Sequence, residues 1–152
     1  MFARIAACVD GGPAGKHACS VATEMAARFH CALTLLTVLR SGEGESQTDL
    51  ERLVPMDAES RSIHRFLEDA RQAATERGIP KVEIVYLRGS VVDAILEYLR
   101  ATPPDLVVVG TRGLSRRSRV LLGSVSSRLV SDAPCPVLVV RNVARRERHR
   151  SP

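Results

Sequence analysis

A group of glycine and serine residues between positions 105 and 126 has the composition of an anion-binding site. The segment DLVVVGTRGLSRRSRVLLGSVS begins with a short apolar run that ends at Gly110, and Gly113 follows closely. A second pair, Gly123 and Ser124, opens a stretch with helical periodicity. Glycine lets the main chain turn tightly and approach another molecule, and the first amides of a helix have no partner within it. Such amides and the positive end of the helix dipole favour an anion such as phosphate.

Polar side chains surround these glycines. The hydroxyls of Ser124 and Ser126 could donate further hydrogen bonds to a phosphate. The loop between the two glycine pairs carries four arginines, namely Arg112, Arg116, Arg117 and Arg119. Their charges would either neutralise a polyphosphate or only keep the loop solvated, and the residues by themselves leave both alternatives open.

Five apolar runs alternate with helical segments along the chain. The runs have the composition of buried strands and lie at 4–9, 31–39, 82–87, 106–109 and 137–140. Helical periodicity follows Pro13, recurs around 63–74, continues after a cap formed by Ser90 and Asp93, and begins again near Ser124. The alternation predicts an α/β fold with one doubly wound, five-stranded parallel sheet and helices on both faces.

The carboxyl ends of two predicted strands are the expected place for a ligand. Asp10 ends the first strand and Gly110 ends the fourth. Ligands of doubly wound sheets bind beyond the carboxyl ends of the strands, where the strand order reverses. From its position alone, Asp10 also fits a turn residue ahead of Pro13, and Val38 fits a core residue.

Length and composition fit one soluble domain. A chain of 152 residues, 45% hydrophobic and 26% charged, can bury a core, and its apolar runs are too short to span a bilayer. The amino terminus lacks the apolar centre of a signal peptide, so we expect a cytoplasmic protein. With 3% aromatic residues and no tryptophan, few side chains could stack on bases, which argues against a nucleic-acid partner. The polar segment 40–55 is predicted to be a surface loop.

The pattern Gly110-x2-Gly113-x9-Gly123-Ser124 resembles the nucleotide-binding signature of the universal stress protein family. The resemblance covers about residues 1–141 and includes Val9-Asp10-Gly11, Val38 and the closing phrase GSVSSRLVSDAPCPVLVV. It implies the strand order 3-2-1-4-5. The residues themselves predict a domain over 1–143 and, because the segment 144–152 is rich in arginine and has no apolar periodicity, a basic, disordered tail after it. The resemblance also implies a cytoplasmic protein that binds ATP with magnesium in a regulatory stress response.

The resemblance implies roles for particular residues. Asp10 is expected near the ribose and adenine, the main chain at Cys8 and Val38 beside the base, and Val109 in the pocket wall. The residues expected to hold the ribose and phosphates are Gly110, Gly113, Gly123, Ser124, Val125 and Ser126, with Arg112 as a further candidate. The family commonly has serine where this chain has Gly12, so one hydroxyl contact or helix cap is missing here.

The resemblance further implies a homodimer, built through the fifth strand. This strand is apolar and consists of Val137, Leu138, Val139 and Val140. At the edge of a sheet it would leave unpaired main-chain groups that need cover. A second copy would provide that cover, and shielding by the tail is the alternative.

No set of residues indicates a catalytic centre. His17, His30, His64 and His149 are distant from the glycine loop in sequence, and the four cysteines lack the spacing of a metal site. Any ATP hydrolysis is therefore expected to be slow. Three functions compete: an ATP-binding regulator of an unidentified protein partner, a nucleotide-free dimeric adaptor for an acidic protein, and a nucleotide-hydrolysing or nucleotide-transferring enzyme. We expect the first.

Overall fold

A computed structural model of the chain describes residues 1–39, 58–111 and 123–141. Strands and helices alternate along these residues in the order β1 (Arg4–Cys8), α1 (Pro13–Phe29), β2 (Ala32–Leu39), α2 (Ala58–Glu76), β3 (Val82–Arg88), α3 (Val91–Ala101), β4 (Leu106–Gly110), α4 (Ser124–Asp132) and β5 (Val137–Val140). The predicted strand boundaries agree to within a residue. The predicted loop at 40–55, the arginines of the glycine loop and the tail at 144–152 lie outside the described residues.

The five strands form one parallel sheet in the order β3-β2-β1-β4-β5. This order confirms the predicted doubly wound fold. The first strand lies at the centre, where Ile5 pairs with Leu33 of β2 on one side and with Leu106 of β4 on the other. The direction of winding reverses between β1 and β4, so the crevice beyond their carboxyl ends is the expected ligand site.

Two apolar layers cover the faces of the sheet. Helices α1 and α2 lie on one face, where Leu67 packs in one core with Leu35 of β2. Helices α3 and α4 lie on the other face, where Leu99 and Leu129 pack in a second core with Val107 of β4. Because successive residues of a strand point to opposite faces, each central strand contributes to both cores.

Local signals in the sequence account for most helix ends. Pro13 is the first residue of α1, a position that suits its fixed φ angle and its missing amide hydrogen. The same helix ends at His30 in the left-handed conformation, with φ at 51°, which the sequence did not indicate. Ser90 is the N-cap of α3 as predicted, but its side chain makes no capping hydrogen bond. None of the helices in the described ranges is long and apolar enough to cross a membrane.

Candidate functional site

A cavity of about 220 Å³ lies at the carboxyl edge of the sheet, between the ends of β1, β2 and β4 and the starts of α1 and α4. The structure brings nine of the predicted ligand-binding residues together around it, namely Cys8, Asp10, Val38, Val109, Gly110, Gly123, Ser124, Val125 and Ser126. The other two, Arg112 and Gly113, lie outside the described residues. The two predicted stretches therefore meet at one crevice.

The amino terminus of α4 forms one end of this cavity. Gly123 is the N-cap, has extended main-chain angles and provides no side-chain cap. The first hydrogen bond of the helix runs from the amide of Ser127 to the carbonyl of Gly123 at 2.9 Å, so the three preceding amides have no partner within the helix. No acidic residue lies in the first turn to offset the positive end of the dipole. This end of the cavity has the electrostatic character that suits an anion.

The two serines at this helix end differ in availability. The hydroxyl of Ser126 is buried and donates a hydrogen bond to the carbonyl oxygen of Gly123 at 3.1 Å. A hydroxyl has only one hydrogen to donate, so Ser126 stiffens the first turn and has no donor left for a phosphate oxygen. Ser124 is exposed, and its hydroxyl is the better placed of the two to donate to a ligand.

Asp10 lies at the start of α1, on the opposite side of the crevice. Its Oδ1 accepts a hydrogen bond from the amide of Gly12 at 3.0 Å, which closes a tight turn in which Gly11 has a φ of 82°. The carboxylate thus lies at the positive end of the α1 dipole. A protein carboxylate therefore already offsets the positive end of the α1 dipole, whereas the first turn of α4 has no such carboxylate.

Gly15 and Gly110 permit close main-chain approaches at the site. An ideal Cβ on Gly15 would lie 2.4 Å from Oδ1 of Asp10, so this carboxylate can fold back only over a glycine. An ideal Cβ on Gly110 would lie 2.4 Å from the carbonyl oxygen of Ala14. The close contact between β4 and α1 therefore requires a glycine at position 110, whether or not this residue also contacts a ligand.

The end of the cavity next to β2 is mainly apolar. Four consecutive residues at the end of β2, from Leu36 to Leu39, contribute to its wall. Ile63 of α2 and Ile95 of α3 face it from the two sides of the sheet, and Val109 of β4 contributes to the floor. A slot of this composition can bury a flat, largely apolar ring, with polar groups fixing its orientation.

Cys8 lines the same cavity but is chemically inert. The pKa of the Cys8 thiol is raised to about 12, mainly by burial and to a smaller extent by the nearby Cys135 and Asp10. The thiolate is the nucleophile and metal ligand, so Cys8 is a wall residue at neutral pH and not a reactive group.

The histidines of the described residues lie outside the cavity. His64 makes a hydrogen bond between its Nδ1 and the hydroxyl of Tyr86 at 2.5 Å, on the outer part of α2 and β3. The described ranges contain no group of three or more His, Cys, Asp or Glu that could hold a metal ion. His149 lies outside these ranges.

Sequence reasoning missed several residues of the site, among them Gly15, Ile63 and Thr37. Gly15 lies inside a helix, where a glycine gives no sign of function, and only the folded-back Asp10 explains it. Helical spacing predicts that Ile63 lies on the apolar face of α2. It does not predict that Ile63 lines the cavity, because that depends on how α2 packs against the sheet. Thr37 was part of an apolar strand, and a buried strand of mixed apolar and hydroxyl residues does not indicate which of them line a cavity.

Comparisons with known proteins agree with this fold. The family model described as the universal stress protein family matches residues 1–141. A universal stress protein from Thermus aquaticus is 34% identical over 141 residues, which cover 93% of this chain and 100% of that protein. The universal stress protein UspA from Lactobacillus plantarum has a TM-score of 0.75 at 27% identity, over 92% of this chain and 98% of the other. A universal stress protein solved in complex with cAMP has a TM-score of 0.71 at 26% identity, over 91% and 97%.

Proposed function

The chain belongs to the universal stress protein family, and from that premise we propose that it binds an adenine nucleotide, with ATP as its ligand, in the cavity at the carboxyl edge of the sheet. The observation that carries the proposal is the amino terminus of α4, which has no side-chain cap and whose first three amides, without a partner within the helix, adjoin the cavity. The complex of a related universal stress protein with cAMP supports the same ligand class.

The charges at the two helix ends favour one orientation of the nucleotide. Phosphate oxygens only accept hydrogen bonds and carry negative charge, so they fit the amides of α4, where no acidic residue competes. The carboxylate of Asp10 also only accepts, and it would repel a phosphate. The hydroxyls of a ribose are donors that match it. We therefore assign the phosphates to Gly123, Ser124, Val125 and Ser126, and the sugar to the side of Asp10.

The apolar end of the cavity is assigned to the adenine base. In this orientation the ring system extends away from α4 toward the wall formed by Leu36 to Leu39 and Ile63. The main chain at Cys8 and Val38 borders the same region and can offer hydrogen bonds to the edge of a ring.

A magnesium ion is proposed to bind together with the phosphates of ATP. Magnesium in nucleotide sites is usually bound through one or two carboxylates together with phosphate oxygens, and it keeps several waters. We expect chelation of magnesium to weaken binding of ATP more than binding of AMP, because AMP lacks the β- and γ-phosphates that share the ion.

The proposed role is binding and regulation without a dedicated catalytic centre. The groups that line the cavity hold and neutralise a nucleotide, and we assign none of them to the activation of water. We propose a cytoplasmic protein that forms a homodimer through β5 and that signals its nucleotide state to a protein partner. The exposed edge position of β5 and the half-exposed Val130 on the adjacent α4 support an interface there.

The substitution Gly123→Asp tests the phosphate end. An aspartate at an N-cap accepts hydrogen bonds from the first helical amides, so it would stabilise α4 while occupying and repelling the phosphate position. Among the described residues, an ideal Cβ at this position meets only Oγ of Ser126 at 3.7 Å, so there is room for the first carbon of the side chain. We expect an unchanged or raised melting temperature, and an affinity for ATP that falls about tenfold or more in titration calorimetry.

The matched control is Ser90→Asp at the N-cap of α3. It adds the same charge at a helix start, but Ser90 does not line the cavity. Its neighbour Val91 lines the cavity, so the added charge acts on the nucleotide only through space, and ATP affinity should fall less in this variant than in Gly123→Asp. If Gly123→Asp binds ATP with unchanged affinity, the assignment of the phosphates to the amino terminus of α4 is wrong. A wild-type protein that binds neither ATP, AMP nor cAMP in the presence of magnesium would leave the nucleotide-free adaptor as the function.

A further inference from the structure

Two threonines of β2 have buried hydroxyls without a partner. Thr34 is 1% exposed and Thr37 is 2% exposed. The Oγ1 atom of neither residue has a hydrogen-bond partner among the described residues. A buried hydroxyl that makes no hydrogen bond costs free energy, and such groups are rare in folded proteins.

The positions of the two threonines differ in two respects. Thr37 lines the cavity at the carboxyl edge, whereas Thr34 does not. Their positions differ by three, an odd number, so they point to opposite faces of the sheet. Thr34 shares its face with Leu36 and the α3 side, and Thr37 shares its face with Leu35 and the α1 and α2 side.

Thr37 lies at the apolar end of the cavity. Its neighbours in the wall, Leu36 and Val38, and Ile63 across from them, have no polar side-chain atom to offer a ligand. The register pairs Cys8 with Leu36, so Thr37 lies just beyond the paired part of β1, next to the crevice. A hydroxyl at this place both donates and accepts, so it can match either a ring nitrogen or an exocyclic amine.

We propose that Thr37 recognises the base of the bound nucleotide through a hydrogen bond from its hydroxyl to the edge of the ring. This inference rests on the proposed nucleotide-binding function and adds a side-chain contact at the base end. The hydroxyl is shielded from solvent, and rotation about the Cα–Cβ bond moves it from one staggered position to another. The bound base selects the rotamer that turns the hydroxyl toward the cavity.

The test compares Thr37→Val, Thr37→Ser and the control Thr34→Val. Valine replaces the hydroxyl by a methyl group of nearly the same size, so each valine variant deletes one unpartnered hydroxyl from the same strand. AMP and ribose 5-phosphate are the probes in titration calorimetry, because they differ only in the adenine. Melting temperatures are measured alongside, and neither valine variant is expected to lower them, since no protein hydrogen bond is lost.

The expected result is a loss of AMP affinity in Thr37→Val of about fivefold, the net effect of one neutral hydrogen bond. Affinity for ribose 5-phosphate should stay the same, Thr37→Ser should keep most of the AMP affinity, and Thr34→Val should bind both probes like the wild type. An equal loss for both probes, or an equal loss in Thr34→Val, would overturn the assignment to the base. AMP binding that is normal in Thr37→Val would also overturn it and leave the proposed function standing. A wild type that does not bind AMP, ATP or cAMP is the failure of the proposed function instead.

Discussion

The carboxylate of Asp10 occupies the space in which residue 15 would otherwise carry its first side-chain carbon. An ideal Cβ on Gly15 would lie 2.4 Å from Oδ1 of Asp10 and 2.8 Å from its main-chain nitrogen. Both are closer than real Cβ contacts allow, so the folded-back position of the carboxylate depends on the missing side chain. A glycine within a helix thereby controls where an acceptor lies in the crevice.

Gly15→Ala is expected to weaken nucleotide binding and, because its methyl group would also press on the main-chain nitrogen of Asp10, to lower the free energy of unfolding. The methyl group would displace the carboxylate, while the gain in helix propensity of about 1 kcal/mol offsets part of the contact cost. We expect ATP affinity to fall about tenfold in titration calorimetry, which corresponds to about 1.4 kcal/mol. Ser20→Ala on the exposed side of α1 is the control for helix propensity. If Gly15→Ala binds ATP with the affinity of the wild type, nucleotide binding does not depend on the position of the Asp10 carboxylate.

Gly110→Ala is expected to destabilise the fold itself. An ideal Cβ there would lie 2.4 Å from the carbonyl oxygen and 2.6 Å from the carbonyl carbon of Ala14, which are main-chain atoms of α1. Because a helix main chain cannot move aside as a flexible side chain can, we expect a loss of about 2 kcal/mol or more in the free energy of unfolding. Urea denaturation measures this loss in the free energy of unfolding.

The control for this prediction is Gly123→Ala at the other glycine of the site. Its ideal Cβ meets only Oγ of Ser126 at 3.7 Å, an ordinary contact. We expect a loss of about 1 kcal/mol or less, as for a helix that loses a favourable N-cap residue. If both variants lose the same free energy of unfolding, the contact between β4 and α1 does not explain the need for glycine at position 110.

The alternation of apolar runs and amphipathic segments was enough to predict the strands, the helices and the edge of the sheet at which the cavity lies. Strand order was not accessible from these patterns, because pairing between β1 and β4 joins residues about a hundred positions apart. It came from the family resemblance and is confirmed by the pairing of Ala6 with Val107.

Details that depend on packing between elements were beyond sequence reasoning. Gly15 and Gly110 look like ordinary turn or helix glycines until α1 is packed against the sheet. Thr34 and Thr37 are hydroxyl residues of the same apolar strand, and the sequence pattern does not show that only Thr37 lines the cavity. Ser126 has the right type and spacing for a phosphate donor, but its hydroxyl is used by the carbonyl of Gly123.

Cys8 is expected to resist alkylation in the folded protein. Its pKa is raised from 9.0 to about 12, mainly by burial, so its thiolate fraction at about pH 8 is about 1,000-fold below that of an ordinary thiol. Cys135 is less buried and should react first with iodoacetamide. Peptide mass mapping after timed labelling measures both rates, and labelling in denaturant is the control. Labelling of Cys8 as fast as Cys135 under native conditions would contradict the burial of its thiol.

Val139→Pro is expected to separate the proposed dimer into monomers. The amide of Val107 bonds to the carbonyl of Pro136 and that of Thr111 to the carbonyl of Val140, so the main-chain groups of the even-numbered residues of β5 face β4. Those of Val137 and Val139 face away, toward the open edge. Proline at 139 therefore removes an outward amide and keeps the bonds to β4, which limits the loss of stability.

Sedimentation velocity distinguishes the two oligomeric states. We expect the wild type and the control Val139→Ala, which keeps the amide hydrogen, to sediment as dimers, and Val139→Pro to sediment as a monomer with a cooperative melting transition. The comparison isolates the main-chain hydrogen bond, because both substitutions remove the valine side chain from the same half-buried position. A dimer that persists in Val139→Pro would mean that the two copies do not pair through the edge of β5, and a surface such as the half-exposed Val130 on α4 would then become the interface to test.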